Sequence, residues 1–282
     1  MNAADVPLCW SRRDPEQRLG FRGGRYTRVN NLLSFLIAAV ATVLFYVALI
    51  PLEGTRFAAT FTERGPTPYC IVLLTFWALA ILWLKSRKLA FQRRALKYQI
   101  VPESHDFVLS SATVDDVLHN MYATVDDPRY FVLFNRITIA LSNLRNLGRV
   151  SDVDDILRSQ ASHEESSMET SYLVVQGFVW AIPVLGFIGT VLGLSEAIGG
   201  FGNVLGSSTD ISELSSALRV VTAGLNTAFE TTLVALVAAL AIHMMLTFLK
   251  KSEEEFMDAC SDYCVRHVVG RLRVMPFEAA TD

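Results

Sequence analysis

The sequence "PVLGFIGTVLGLSEAI", residues 183–198, lies in an apolar run that is long enough to cross a membrane. Its small and special residues recur every three or four positions, which places Pro183, Gly186, Thr190, Gly193 and Ala197 on one face of a helix. Glycine destabilises a helix by about 1 kcal/mol relative to alanine. In lipid, however, small residues allow two helices to approach closely. We therefore expect this stripe to face another helix.

A second stripe of small residues lies in the apolar run 220–249, where the same spacing aligns Ala228, Thr232, Ala235 and Ala239. Thr190 and Thr232 lie at a similar depth, roughly 14 Å from the outer ends of their helices at about 1.5 Å per residue. The two stripes predict the wall of a narrow ion pathway, lined by Thr190, Thr232, Pro183, Gly186, Gly193, Ala228 and Ala235. Plain helix packing is the alternative, because threonine in a membrane helix can bond its own backbone.

Glu230 is an ionisable residue inside the same apolar run. Such a residue costs roughly 2.5 kcal/mol or more at the bilayer centre, so it usually faces protein or water. Thr222 and Asn226 precede it at intervals of four, which predicts a polar seam or a subunit contact. Glu230 lies about 200° from Thr232 around the helix, so the two are expected to face different surfaces.

Four apolar runs have about the length that a bilayer requires, roughly 20 residues of helix: 32–50, 69–84, 171–195 and 220–249. Only 19% of the residues are charged, below the share of about 25% in soluble domains. The sequence therefore predicts an all-α integral membrane protein with four transmembrane helices. The net charge of −3 provides no basic field for a nucleic-acid partner.

Basic residues indicate the orientation, because cytoplasmic segments are enriched in Lys and Arg. The first 30 residues hold six arginines, residues 85–158 hold eleven basic residues, and the tail from Lys250 holds five. The remaining connections hold only Arg56, Arg64 and Arg219. Both termini and the middle segment are thus predicted to be cytoplasmic.

The predicted organisation has five parts. They are a cytoplasmic N-terminal segment (1–31), a peripheral hairpin of helices 1 and 2 (32–84), a cytoplasmic helical region (85–170), a core of helices 3 and 4 (171–249) and a cytoplasmic C-terminal helix (250–282). No Pro or Gly interrupts residues 151–176, so helix 3 is expected to continue into the cytoplasm for about 39 Å. A similar cytoplasmic extension is expected for helix 4.

Both stripes resemble the motifs of the ion-channel subunits MotA, TolQ and ExbB. The first motif of that family is matched by Pro183, Gly186, Gly189, Thr190 and Gly193, and the second by Gly224, Ala228 and Thr232. The sequence departs from the family pattern at Thr227, where ExbB- and TolQ-like members carry Glu, and at Ala241, where a proline is usual. The number of spans, four, resembles MotA, whereas the residues of the two motifs resemble those of ExbB and TolQ. The branch of the family to which the sequence is most similar therefore stays open.

The resemblance implies a pore-forming subunit of a proton- or sodium-driven rotary motor in the bacterial inner membrane. It implies a homopentamer around a dimer of a single-span MotB/ExbD/TolR-like partner, whose membrane aspartate carries the ion past Thr190 and Thr232. Residues 171–249 would be the channel core. No enzyme activity and no cofactor other than the transported ion are implied. The machine that is powered, whether the flagellum, the Tol or Ton system or another, is left open.

The same sequence features allow other interpretations. A membrane scaffold or transporter subunit that conducts nothing would also need small stripes, for packing alone. Cys260, Cys264 and His267 share a helical face, but a zinc site lacks a fourth ligand there, so packing is the favoured role. No catalytic nucleophile, phosphate-binding loop or cofactor motif is recognisable in the sequence.

Overall fold

The computed structural model describes residues 7–21, 23–102, 109, 113–147, 150–205 and 211–272. These residues contain helices and isolated β-bridges but no β-strand. The α-helices are α1 (Trp10–Arg13), α2 (Pro15–Arg18), α3 (Asn31–Leu49), α4 (Arg56–Thr62), α5 (Thr67–Ala95), α6 (Val114–Thr124), α7 (Val132–Leu147), α8 (Val150–Leu205) and α9 (Ile211–His267). Short 3₁₀ helices occupy Ile50–Leu52, Pro128–Tyr130 and Val269–Arg271.

Four of the helical segments are long and apolar enough to span a membrane: Asn31–Leu52, Thr67–Ala95, Asp152–Gly199 and Leu218–Arg271. Each contains the whole of one of the four apolar runs in the sequence. Large apolar side chains remain exposed on them, among them Trp180, Phe229 and Leu240. The prediction of an all-α membrane protein with four spans is confirmed.

The two longest helices carry the sequence stripes. Helix α8 is continuous from Val150 to Leu205, although Pro183 lies inside it. The predicted continuation of helix 3 through residues 151–176 is therefore confirmed. Helix α9 is likewise continuous beyond the apolar run as far as His267.

The chain divides into two compact units. The spanning unit comprises residues 31–82 and 173–248, and the basal unit comprises residues 1–30, 83–172 and 249–282. The spanning unit thus contains the small-residue stripes, and the basal unit contains the charged ends of the long helices.

The basal unit has a core of large apolar side chains contributed by all three of its chain segments. The ring of Trp10 stacks on Tyr130 with centroids 5.7 Å apart and meets Phe131 edge-on at 5.3 Å. Phe256 and Cys260, from the last segment, are buried in the same core. Leu8 forms a parallel β-bridge with Val125, which attaches the N-terminal segment to the residue that follows α6.

Candidate functional site

The small residues of α8 and α9 pack against each other within the spanning unit. A Cβ atom added at Gly186 would lie 2.5 Å from Cβ of Ala235, and one added at Gly224 would lie 2.6 Å from Cβ of Ala197. At Gly193, the added atom would lie 3.0 Å from the carbonyl oxygen of Gly224. No larger side chain fits at these positions unless the helices move, so the glycines set the distance between α8 and α9.

Two of the predicted pathway alanines lie in this contact. Ala228 is 4% exposed and Ala235 is fully buried. Pro183, on the same face of α8, is half-buried. The structure therefore brings Gly186 together with Ala235, and Gly193 together with Gly224. These contacts join neighbouring helices of one chain, as the stripe spacing predicts.

The two threonines of the stripes have different surroundings. The Thr232 hydroxyl donates a hydrogen bond to the carbonyl oxygens of Gly186 and Ala228, both at 3.2 Å. The Thr190 hydroxyl donates to the carbonyl oxygen of Phe187 at 2.6 Å, within its own helix. Both side chains are half-buried. Among the described residues, no hydrogen bond joins the two hydroxyls.

A third threonine at this contact is not distinguished by the sequence pattern. Thr231 is 1% exposed and donates to the carbonyl oxygens of Thr227 and Ala228, each at 3.1 Å. A Cβ atom added at Gly189 would lie 2.8 Å from the Thr231 hydroxyl oxygen and 2.9 Å from that of Thr67. Gly189 thus allows α5, α8 and α9 to meet. The only signal in the sequence is that Gly189 belongs to the motif.

The predicted polar seam is partly assembled. Asn226 Nδ2 donates to Glu230 Oε1 at 2.9 Å. Thr222 instead donates to the carbonyl oxygen of Leu218 on its own helix. Glu230 faces residues before α5 whereas Thr232 faces α8, in agreement with their angular separation on the helix.

Arg64 is the residue at this seam that sequence reasoning missed. It lies between α4 and α5, and its Nε atom is 2.9 Å from Glu230 Oε2. Its Nη1 atom also donates to the Thr227 hydroxyl at 2.9 Å. The pair is only partly shielded, with side-chain exposures of 18% for Arg64 and 30% for Glu230. Glu230, the acid within the apolar run 220–249, is therefore neutralised within the chain.

Buried ion pairs are the second feature that the sequence did not reveal, and those among the described residues all lie in the basal unit. Lys85 pairs with Glu253, Lys88 with Glu16 and Asp14, and Arg136 with Glu164. All these side chains are at most 4% exposed.

The Lys85–Glu253 pair has further polar neighbours. The hydroxyls of Thr27 and Tyr172 donate to Glu253. The Lys85 ammonium lies 4.0 Å from the ring centroid of Tyr172 and donates to Ser171 at 2.9 Å. These contacts satisfy the buried charges, which is the condition for burying an ion pair without a large net cost.

Two ionisable groups of the N-terminal segment are affected by burial. Desolvation raises the pKa of the Asp14 carboxyl, and the neighbouring Lys88 ammonium opposes this rise. Desolvation also raises the pKa of the Tyr26 phenol, and the Glu164 carboxylate adds to the effect. Tyr26 correspondingly donates its hydroxyl proton to Glu164 at 3.3 Å.

The Cys260, Cys264 and His267 positions are built into the helix packing. Both cysteines are buried, and the ring of His267 lies 4.6 Å from that of Tyr263. In the described part of the chain, no group of three or more His, Cys, Asp or Glu side chains is arranged to hold a metal ion.

Comparison with known proteins gives one match. Residues 134–261 match the family model of the MotA/TolQ/ExbB proton channel family. The matched region begins in α7, includes all of α8, and ends in α9 near the C-terminal end of that helix. It contains both stripes, and it confirms the family assignment that the stripe motifs predicted. No curated protein and no solved structure matches the chain.

Proposed function

We propose that this member of the MotA/TolQ/ExbB family is the pore-forming subunit of an ion-driven rotary motor. The family consists of channel and stator-type membrane proteins rather than enzymes, and the match over residues 134–261 carries the proposal. The close approach of α8 and α9 at Gly186, Gly193 and Gly224 supports it, because a compact wall of helices is needed around a narrow pathway.

In the proposed assembly, five copies of this chain surround a dimer of a MotB/ExbD/TolR-like protein with a single membrane span. The membrane is the bacterial inner membrane, and both termini face the cytoplasm. Residues 171–249 form the channel core, and residues 32–84 form a peripheral hairpin. Proton or sodium flow then turns one ring of helices relative to the other. One charge that crosses 100 mV releases about 2.3 kcal/mol.

The threonine hydroxyls supply the polar contacts that the partner's membrane aspartate requires in lipid. In the structure, Thr190 and Thr232 each donate to a backbone carbonyl group. A hydroxyl that donates in this way keeps its acceptor lone pairs. It can therefore accept a hydrogen bond from a protonated aspartic acid, and rotation about its χ1 angle lets it donate to the ionised form. Ala228 and Ala235 are buried between α8 and α9, so in this proposal they hold the wall together behind these hydroxyls, and Pro183 is half-buried beside them.

The polar seam of Thr222, Asn226 and Glu230 has a separate role in the proposal. Because Arg64 already neutralises Glu230 at 2.9 Å, the acid holds the α4–α5 connection against α9. Thr227 stands where ExbB- and TolQ-like members carry Glu, and here it accepts a hydrogen bond from the same guanidinium group. The seam thus stabilises the subunit, and the ion is carried by the partner.

A non-conducting membrane scaffold or transporter subunit is the second candidate. The observation that favours it is the set of close contacts between α8 and α9, which includes the bond from Thr232 to the Gly186 carbonyl oxygen. Packing alone would require the same contacts. A measurement of ion flux is therefore needed to distinguish the conducting motor subunit from the non-conducting scaffold.

The test replaces both threonines by valine, which keeps their shape and removes both hydroxyls. The T190V/T232V variant should assemble like the parent but lose partner-dependent proton or sodium uptake into liposomes. The matched control is T42V/T75V, since those hydroxyls also donate to carbonyl groups of their own helices, in α3 and α5. An assembled T190V/T232V protein that conducts like the parent would contradict the pathway role of these threonines.

Assembly is tested separately by the mass of the full chain in mild detergent, with and without the co-expressed partner. A homopentamer is expected. A stable monomer or dimer under both conditions would contradict the motor proposal and favour the scaffold.

A further inference from the structure

A cavity of about 920 Å³ opens on the basal unit between the N-terminal helices α1–α2 and helix α5. Its most common lining residue is arginine: Arg12, Arg13, Arg18, Arg87 and Arg94. Among the residues that the structure describes, no acidic side chain lines it. The cavity therefore collects positive charge from two separate parts of the chain.

The arginines of α5 face the cavity because the helix has two different sides. Arg87 and Arg94 are exposed and share one face with Trp83 and Ala90, at intervals of three and four residues. The opposite side of the helix carries Lys88, which is buried and paired. Lys88, on one side of α5, is thus paired inside the fold, whereas Arg87 and Arg94, on the other side, line the cavity.

The N-terminal segment separates its charges in the same way. Asp14 and Glu16 are buried, and their carboxylate oxygens lie 3.6 Å and 2.6 Å from Lys88 Nζ. The neighbouring Arg12, Arg13 and Arg18 line the cavity instead. The acids that could have neutralised these arginines are therefore occupied inside the fold.

The cavity arginines have no carboxylate partner in the part of the chain that the structure describes. The Arg13 guanidinium lies 5.6 Å from the ring centroid of Phe91, and this contact orients the side chain without neutralising it. Like charges held together repel one another, and a bound anion relieves that repulsion. Guanidinium groups match phosphate oxygens particularly well, because their planar N–H groups donate in pairs.

Trp83 indicates where the anion comes from. It lies at the charged end of the apolar run 69–84, lines the cavity and is 55% exposed. Tryptophan is enriched at the membrane–water interface, at the level of the lipid headgroups. Basic cavities beside transmembrane helices at this level suit phosphate-bearing headgroups.

We propose that this cavity binds a phosphate-bearing anion and that its source is the headgroup of an anionic phospholipid. The arginines of α1, α2 and α5 hold the phosphate group, and Trp83 lies beside the glycerol and upper acyl region. The site is independent of ion conduction, and it would fix the N-terminal segment to α5 through a lipid molecule.

The experiment uses the full chain in nanodiscs of phosphatidylglycerol and phosphatidylcholine in equal parts. Native mass spectrometry measures which lipid stays bound to the released protein. The parent should retain phosphatidylglycerol preferentially. R87Q/R94Q should lower this affinity about thirtyfold, from roughly 1 kcal/mol for each arginine near an anionic surface. A90W, which fills the cavity without a change in charge, should lower it as well.

The matched control is R25Q/R93Q, which removes the same amount of charge from the basal unit. Arg93 is exposed on α5 beside Arg94, but neither Arg93 nor Arg25 lines the cavity. The control should retain phosphatidylglycerol like the parent. An equal loss in the control would show diffuse attraction to the membrane surface and overturn the proposal.

A second arm distinguishes a lipid from a soluble source. The protein in nanodiscs of phosphatidylcholine alone is titrated with inorganic pyrophosphate, and heat of binding is measured. One outcome is that the parent binds pyrophosphate, that R87Q/R94Q abolishes this binding, and that the parent shows no preference for phosphatidylglycerol. This outcome would support a phosphate site but overturn the lipid source. The absence of both kinds of binding would overturn the whole proposal.

Discussion

The two units of this chain are packed by opposite means. In the spanning unit, α8 and α9 approach through Gly186, Gly193 and Gly224, where an added Cβ atom would lie 2.5–3.0 Å from its neighbour. In the basal unit, large side chains such as Trp10 and Phe131 fill the core, and buried ion pairs lie beside it. Lipid is as apolar as a leucine side chain, so in a membrane close backbone contact has to replace the hydrophobic effect. In water that effect packs large apolar side chains together, and the core of the basal unit has this composition.

The two units also differ in how exposed their ion pairs are. The Arg136–Glu164 pair is nearly inaccessible, with exposures of 2% and 1%. The Arg64–Glu230 pair is partly accessible, with exposures of 18% and 30%. A buried charge that loses its partner cannot be rescued by solvent, whereas a partly exposed one can. The comparison therefore predicts that equivalent substitutions have very different costs in the two units.

The largest effect is expected from Arg136→Met in the basal unit. It leaves Glu164 buried without its cation and also removes a hydrogen bond to Ser261. Breaking a buried pair typically costs about 3–5 kcal/mol. Chemical unfolding of the detergent-solubilised protein measures the loss. R136M/E164L should recover most of it, because no unpaired charge remains.

The control is Arg158→Met, whose partner Asp154 is on the same helix and whose side chain is 78% exposed. An R136M loss no larger than that of R158M would contradict the role of the buried pair.

A smaller effect is expected from Gly224→Ala in the spanning unit. The new methyl group would lie 2.6 Å from Cβ of Ala197 and 2.7 Å from the Gly193 carbonyl oxygen, so α8 and α9 must separate. Overpacking of this kind costs about 1–3 kcal/mol. Gly177→Ala is the control, because an added Cβ there meets no atom within 4 Å. That change should stabilise α8 by up to about 1 kcal/mol. Thermal unfolding in detergent compares the two, and the same sign for both variants would contradict close packing at Gly224.

The smallest effect is expected from Glu230→Gln. Glutamine still accepts a hydrogen bond from Arg64, and the pair is partly exposed, so the loss of unfolding free energy should be about 1 kcal/mol or less. Glu63→Gln is the control, since Glu63 is an exposed acid beside Arg64 in the chain. The stability of assembled protein in detergent should fall slightly more for E230Q than for E63Q, and ion flux should change less than assembly. A loss as large as that of R136M would remove the contrast between the units.

The sequence allowed the faces of the helices to be predicted, but not what those faces meet. Stripe spacing correctly placed Gly186 and Ala235 in a helix contact, since it depends only on helical periodicity. The Arg64–Glu230 contact joins residues 166 positions apart, and the Lys85–Glu253 contact joins residues 168 apart. Periodicity contains no information about such long-range partners. The pathway roles of Thr190 and Thr232 stay predictions.

The three-part composition of the basal unit has a consequence for the order of biogenesis. A chain is synthesised from its N-terminus, so Arg136 and Glu164, 28 positions apart, are both available early. Lys85 has to wait for Glu253, and the core has to wait for Phe256 and Cys260. Until the last segment leaves the ribosome, the half-built unit exposes an apolar surface and an unmatched lysine. The C-terminal end of α9 is therefore the last part of the basal unit to fold. A chain truncated there would insert into the membrane, but its basal unit would not fold.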